Sequence, residues 1–438
     1  MKETQGKERT MYWKTPEIQL ENGCKMAVYG DSTLFFQVKD TKQTAKTHYF
    51  YPYMSNYLLY QMNEYNLKRR FFMHKFNIKK QVGKLYGITA IGYFQIAGAS
   101  WVALLAARGF SLIEIGIIES IFHAVSICFE VPSGVAADVF GRKKTLVISQ
   151  IVSLISNILM IFSGGFWSTA LAMGFSALSY NLSSGTREAL AYDSLKYAGQ
   201  EEIYNRFASA EMALYRISSS TATLCAGLAL FLGYKTAYAI DVLFSIGALS
   251  IALCLKEVEA DCQNTEKRQE SILEKLKNIV LESGKFLLNN GKARTIMIVN
   301  SLIGAVSTLV LFFLQAKLPM AGLNSLALGP ALFIMGLGAV VGARMVAYFP
   351  QYSYKKLLTL SAFGVGCALA AALTGNVLIM IAGGFLGALA DDFLEVKTDV
   401  ILNEMIPSEQ RATLISVGSF MFSIVMIFLS TFMGWMLS

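Results

Sequence analysis

The sequence predicts an all-α polytopic membrane protein, and three observations carry that prediction. Charged residues make up 16% of the 438 residues, against about 25% in a soluble globule, while 54% are hydrophobic. From residue 84 onward apolar runs recur, each long enough to cross ~30 Å of hydrocarbon, which takes about 20 helical residues at ~1.5 Å each. Lys and Arg gather in every second connection between those runs. The net charge of +8 therefore reads as lipid topology, and no nucleic-acid partner is expected.

Residues 1–72 are polar and hold no apolar segment of the signal-peptide kind. Residues 27–29 and 34–36 alternate enough for short strands. Met73, followed by the basic stretch 74–80, reads as a natural start. Residues 1–72 are thus expected to be an extension outside the functional protein; the rival reading is a small cytoplasmic domain. The apolar runs, numbered here as spans 1 to 11, lie near 84–107, 113–137, 144–164, 166–193, 207–233, 236–255, 295–318, 325–348, 355–374, 376–402 and 411–436. The widest connection, 256–294, is charged, and its residues 271–280 place apolar side chains at helical spacing.

Positive charge fixes the expected orientation. Lys75, Lys79, Lys80 and Lys84 precede span 1, and Arg142, Lys143 and Lys144 follow span 2. Lys196 and Arg206 follow span 4, a dense set follows span 6, Lys355 and Lys356 follow span 8, and Arg411 follows span 10. The alternate connections hold little beyond Arg108, Lys235 and Lys317. The N-terminus is therefore expected in the cytoplasm, with the chain threaded through the cell membrane. The six cysteines are far apart and give neither metal spacing nor a disulfide framework. There is no phosphate loop, no Gly-x-Ser-x-Gly and no metal pattern among His48, His74 and His123, so neither enzyme chemistry nor a metal or cofactor is expected.

Residues 130–144 stand out within this pattern. An apolar helix, small residues, one carboxylate, a glycine and three cations arrive in that order. The spacing Gly-x-x-x-Asp-x-x-Gly-Arg-Lys, on Gly134, Asp138, Gly141, Arg142 and Lys143, resembles the signature between the second and third membrane helices of the major facilitator superfamily. The resemblance spans roughly residues 80–438. It implies a major-facilitator-type fold of two six-helix bundles with pseudo-two-fold symmetry, here with eleven spans and the twelfth missing. The first bundle is expected over 73–255, a cytoplasmic linker over 256–294 and the second bundle over 295–438. It also implies a monomeric secondary transporter working by alternating access on a small-molecule substrate, with the lipid bilayer as its surroundings. Bacterial multidrug and macrolide exporters of the superfamily carry similar motifs, so proton-coupled efflux of small organic molecules is the first expectation. Antiporters of the family often carry Gly-Pro-x-x-Gly-Gly in span 5, which this chain lacks. Uptake symport of a small solute stays open, as does a truncated, non-transporting remnant.

In the family this cluster latches the two halves on the cytoplasmic side, and that role carries by resemblance onto Gly134, Asp138, Gly141, Arg142 and Lys143. Small Gly134 and Ala137 let helices approach closely, Asp138 can meet Arg142 and the positive start of another helix, and Gly141 allows a sharp turn. The matching helix start is 406–413, with Pro407 and Ser408 as stop and N-cap. The second-half copy keeps Gly342 but has Val346 where the Asp would stand. Charge alone, enforcing topology, is the rival account of the cluster.

Charges inside the membrane are costly unless they face a wet or paired site, so they point to a pathway. Glu130 (~12 Å from the end of span 2), Arg187, Arg216 (~15 Å into span 5), Asp391 and Asp392 are the candidate proton or substrate site. Adjacent Asp391 and Asp392 cannot face one way, because successive helical residues turn by about 100°. One is expected to face the cavity and the other a neighbouring helix. Structural pairing of Glu130 and the aspartates with Arg187 or Arg216 is the rival. Asp241 is expected near the surface opposite the basic connections, where hydration is cheap. Tyr86, Tyr93, Gln95, Tyr180, Asn181, Asn300 and Gln315 are expected to supply hydrogen-bonding groups to the cavity.

Overall fold

The computed structural model describes residues 18–20, 24–29, 33–37, 76–258, 290–349, 351–405 and 411–438, without the side chains of the three strands, of Asn403 or of residues 411–416. The chain divides into two compact units, Met1–Asn77 and Ile78–Ser438. In the first, β1 (Ile18–Leu20), β2 (Cys24–Tyr29) and β3 (Thr33–Gln37) form an antiparallel sheet in that order, with Ala27 opposite Phe35 and Val28 opposite Leu34. The alternation at 27–29 and 34–36 is thus realised as paired strands. Met73, the apolar stretch 271–280 and the expected cap at Pro407 and Ser408 lie outside the described residues.

The second unit is helical throughout its described part. Span 1 folds as three pieces, α1 (Ile78–Gly92), α2 (Ile96–Ala99) and α3 (Trp101–Ala107). Span 2 is α4 (Leu112–Phe140) and span 3 is α5 (Arg142–Phe162). Span 4 is broken into α6 (Phe166–Ser183) and α7 (Thr186–Tyr197), and span 5 into α8 (Tyr204–Leu224) and α9 (Ala226–Leu232). Span 6 is α10 (Tyr234–Leu253), and spans 7 to 11 are α11 (Gly291–Met320), α12 (Ser325–Tyr348), α13 (Tyr354–Ala372), α14 (Val377–Met405) and α15 (Arg411–Leu437). Eight of these helices, those of spans 2, 3 and 6 to 11, are long and apolar enough to cross a membrane. Spans 1, 4 and 5 are interrupted, which hydropathy averaged over a window does not reveal.

Caps set several helix starts. Ser111 and Glu114 form a reciprocal capping box at α4, the Glu114 amide donating to Ser111 Oγ at 3.2 Å and the Ser111 amide to Glu114 Oε2 at 2.8 Å. Asn324 and Ser353 cap α12 and α13 through their side-chain oxygens. The break in span 1 has a different device. Asp241 of span 6 accepts the amides of Ile96 (2.8 Å) and Gly98 (2.9 Å), replacing helix hydrogen bonds that lipid could not supply. Asp241 is 0% exposed, so the expectation of a hydrated surface carboxylate is corrected: it is a buried brace for a broken helix.

Packing repeats between the halves. Span 3 packs on span 4 and span 9 on span 10; span 2 on 4 and 8 on 10; span 1 on 5 and 7 on 11; and across the middle span 2 meets 11 while 5 meets 8. That correspondence is the pseudo-two-fold relation of a major-facilitator-type fold. Polar side chains bind the first half together: Ser149 and Ser179 donate to each other's carbonyls at 3.1 and 2.9 Å, and Asn157 Nδ2 donates to Ser245 Oγ at 2.9 Å. In the second half Gly338 and Gly342 of α12 press on the carbonyls of Phe385 and Leu389 in α14, leaving no room for a methyl group. Gly134, the motif glycine of the first half, has no neighbour within 4 Å of where a Cβ would stand, so the close approach expected there is absent.

Gly338→Ala should therefore destabilise the helical unit by about 1–3 kcal/mol, the cost of overpacking. A lower thermal unfolding midpoint in detergent checks it. Gly366→Ala, whose Cβ would meet nothing within 4 Å, should leave the midpoint unchanged or raise it.

Candidate functional site

Two sides of the helical unit can be told apart without assigning a compartment. The basic side carries Arg142 to Lys144; the far side carries the 2 ends at Leu112 and Ser325 where spans 2 and 8 begin. The halves touch on the far side through glycines. Gly116 of span 2 lies against the backbone of Ser430 in span 11, and Gly434 of span 11 against that of Leu112. Gly227 of span 5 lies against the backbone of Ser325 and Leu326 in span 8, and Gly329 of span 8 against that of Leu224. The two crossings are reciprocal and pseudo-symmetric. Ser120 Oγ adds a hydrogen bond of 2.7 Å to the Ile427 carbonyl across the first crossing, and within the second half Lys317 Nζ donates to the Leu437 carbonyl at 2.8 Å.

Deeper in the first half, breaks in spans 1 and 4 turn polar groups toward span 5. Gly185, with φ of 73°, ends α6 and lets α7 start just before Arg187. Arg187 is buried and makes a close ion pair through Nε with Glu211 of span 5, as well as one of 3.1 Å with Glu188. The Nε contact is charge against charge rather than a directed hydrogen bond. Thr89 Oγ1 of span 1 donates to the same Glu211 carboxylate at 3.0 Å. The Arg187 guanidinium stands 5.5 Å from the Tyr93 ring centre, and Tyr93 meets Tyr215 edge-on at 4.6 Å. Glu130 is half-buried and forms no ion pair among the described residues; its charge reaches Tyr180 instead of Arg187.

Across the seam, the two aspartates of span 10 part company. Asp391 turns to span 7, one carboxylate oxygen lying 3.5 Å from the Cβ position of Gly304 and the side chain near Ser307. Asp392 lies within electrostatic reach of Arg216 on span 5, as does Glu395. Arg216 is exposed and sits 5.8 Å from the Tyr215 ring centre. Glu395 and Asp399, one and two turns beyond Asp391, extend an acidic strip toward the basic side. These two were missed in sequence, although their i, i+4, i+8 spacing from Asp391 carried the signal. Several expected cavity groups are structural. Asn181 is buried and bonded to Ser126 Oγ (2.9 Å) and the Ser126 carbonyl (2.6 Å), Gln315 is buried, and Tyr86 stacks on Phe207.

At the basic end of span 2, Gly141 makes the turn into span 3 with φ of 93°. Arg142 forms a close ion pair with Asp193 of span 4 and donates to the Ala189 carbonyl at 2.8 Å. Glu257, just after span 6, accepts the Lys143 amide at 3.0 and 3.2 Å, and its carboxylate would stand 2.8 Å from a Cβ on Gly141. The motif is thus tied to spans 4 and 6 by Asp193 and Glu257, neither of which sequence reasoning assigned to it. Asp138 is exposed at the same end. The helix start expected opposite it, 406–413, lies outside the residues whose side chains are described.

A helical, multi-pass membrane protein with two pseudo-symmetric halves and charged side chains at its middle has the build of a solute carrier. Residues 85–353 match the family model described as Major Facilitator Superfamily, and the chain belongs to that family of membrane transporters. A relative, the uncharacterized MFS-type transporter YxaM of Bacillus subtilis (strain 168), is 23% identical over 326 residues, covering 73% of this chain and 79% of its own. Solved structures share the fold. The nucleoside transporter NupG has a TM-score of 0.62 at 18% identity, covering 82% of this chain and 91% of its own. A bacterial homolog of the human lysosomal transporter Spinster, inward-facing and unoccupied, has 0.60 at 14%, covering 80% and 81%. A D-xylose–proton symporter has 0.56 at 13%, covering 81% and 88%.

Removing one partner of the Arg187–Glu211 pair strands the other charge in the membrane. Arg187→Gln should cost about 3–5 kcal/mol and lower the folded yield in detergent, whereas the double variant with Glu211→Gln should recover most of it. Size-exclusion recovery and the unfolding midpoint of the three proteins check this.

Proposed function

We propose that the chain is a proton-coupled secondary transporter that exports small organic molecules by alternating access. The observation that carries this reading is the set of charges at the seam: Asp392 on span 10 within reach of Arg216 on span 5, with the adjacent Asp391 turned toward span 7. A carboxylate held between two mobile halves can take a proton in one arrangement and release it in the other. Asp391 and Asp392 are the proton carriers in this reading, with Glu130, Arg187 and Arg216 shaping the substrate site. The Lys and Arg pattern supports a cytoplasmic basic side and a cytoplasmic N-terminus in the cell membrane. The glycine crossings on the far side then correspond to a molecule closed outside.

In this reading Gly134, Asp138, Gly141, Arg142 and Lys143 form the inner latch, which engages when the molecule turns outward. The transporter acts as a monomer, its working part being the bundles 73–255 and 295–438 joined by 256–294. Uptake symport of a small solute is the second reading. The absence of Gly-Pro-x-x-Gly-Gly from span 5 favours it, as does the fold shared with a nucleoside transporter and a D-xylose–proton symporter.

A panel of small organic cations, drugs, nucleosides and sugars, tested in inverted vesicles with an imposed pH gradient, separates the readings. Gradient-driven accumulation is expected for export, and gradient-driven depletion for uptake. Asp391→Asn and Asp392→Asn should each abolish the gradient-driven component. Full gradient-driven transport in both variants overturns their assignment as proton carriers.

A further inference from the structure

One polar group at the seam is used by none of the features above. Glu119 and His123 stand one turn apart on span 2, with side chains 9% and 11% exposed and His123 Nε2 3.3 Å from Glu119 Oε1. On its other edge, His123 Nδ1 lies 3.3 Å from Ser423 Oγ of span 11, and its ring meets Phe422 at 5.9 Å. The pair lies ~10 and ~16 Å below the start of span 2, just inside the glycine crossing. Burying a carboxylate and an imidazole there, between two halves that move, is costly unless their charges balance.

The surroundings leave that balance to the pair itself. Span 11 has no charged residue from 417 to 438, and α6 has none from 166 to 183, where Tyr180 is the titratable group. Tyr180 reaches the pair only through Phe122, at 6.3 Å. The cations of span 3, Arg142 to Lys144, lie at the opposite end of span 2, and Arg108 after span 1 is bonded to Ser163. Among the described residues no other charged side chain forms an ion pair with Glu119 or His123.

We propose that Glu119 and His123 are a proton-dependent lock on the far-side seam. With one proton between them the pair is neutral overall and stays buried against Ser423. When that proton leaves, the pair carries a net charge of about −1, and spans 2 and 11 part to hydrate it. The sign follows from linkage. The closed seam binds one more proton than the open one, so acid favours closure and base favours opening. The inference rests on the alternating-access reading above but on neither the direction of transport nor the substrate.

Spin labels at the far ends of spans 2 and 11, in the full chain with its native cysteines replaced and reconstituted in vesicles, test it. Their distance distribution is read by pulsed electron paramagnetic resonance between about pH 5 and pH 8, where histidine titrates. The ratio of closed to open molecules should change with pH by up to about tenfold per unit, the limit for one proton. Glu119→Gln should lose the closure driven by acid, because the imidazole left alone gains nothing from a proton in the closed form. His123→Gln should open across the range, because its carboxylate is left alone. Ser423→Ala should loosen the seam while keeping the pH response, and it carries the test with Glu119→Gln if His123→Gln fails to fold. A wild-type ratio independent of pH, or an unchanged response in Glu119→Gln, overturns the lock. Gly116→Leu wedges the same seam open whatever the proton does. If even that variant leaves the distances unmoved, it is the alternating-access reading that fails.

Discussion

Two reciprocal glycine crossings on the far side decide where everything else can be. In lipid, helices gain nothing from hiding apolar surface from one another, so contact comes from close backbone approach and from hydrogen bonds. Gly116 with Gly434, and Gly329 with Gly227, bring the backbones of opposite halves nearer than any side chain would permit. Spans 2 and 11, and spans 5 and 8, are thereby pinned at one end. A molecule joined in this way has a closed far side and a seam whose polar residues lie beyond the crossings.

A second constraint follows from the breaks in spans 1, 4 and 5. Unwound backbone in a membrane must find its partners within the protein. Asp241 does this for span 1, accepting the amides of Ile96 and Gly98 from within span 6. Because the brace is a carboxylate on a neighbouring helix, the break is held in register with span 6. The turn just before it delivers Tyr93 to Arg187 and Tyr215. The polar centre of the first half thus depends on a residue that faces nothing but backbone.

Hydropathy made the spans legible because lipid imposes one length and one polarity on every crossing, and the predicted runs fall on the observed helices within a few residues. It hid the breaks for the same reason: a few residues of unwound chain at 93–95 or 184–185 leave the average polarity almost unchanged. The turn at Gly141 was visible in its motif. The partners of that motif were not, since Asp193 and Glu257 are brought to Arg142 and Lys143 only by the packing of spans 4 and 6. Glu211 was hidden by its position near the start of span 5, where a carboxylate looks solvated. His123 was judged only as a metal ligand, and its neighbour one turn away on the same face went unread.

The charges of the two halves are spent differently, and this bears on which of them can move. In the first half nearly every buried charge has a fixed partner: Arg187 has Glu211, Arg142 has Asp193, Asp241 has backbone amides and Glu257 has the start of α5. Breaking such pairs costs several kcal/mol, so they hold shape. On span 10 the charge acting on Asp392 and Glu395 from the opposite half, among the described residues, is the exposed Arg216. In the alternating-access reading that partner withdraws when the halves rock apart. A carboxylate whose counter-charge lies across the seam differs in this from the fixed pairs of spans 1, 4 and 5, and that difference is what the proposed coupling through span 10 draws on.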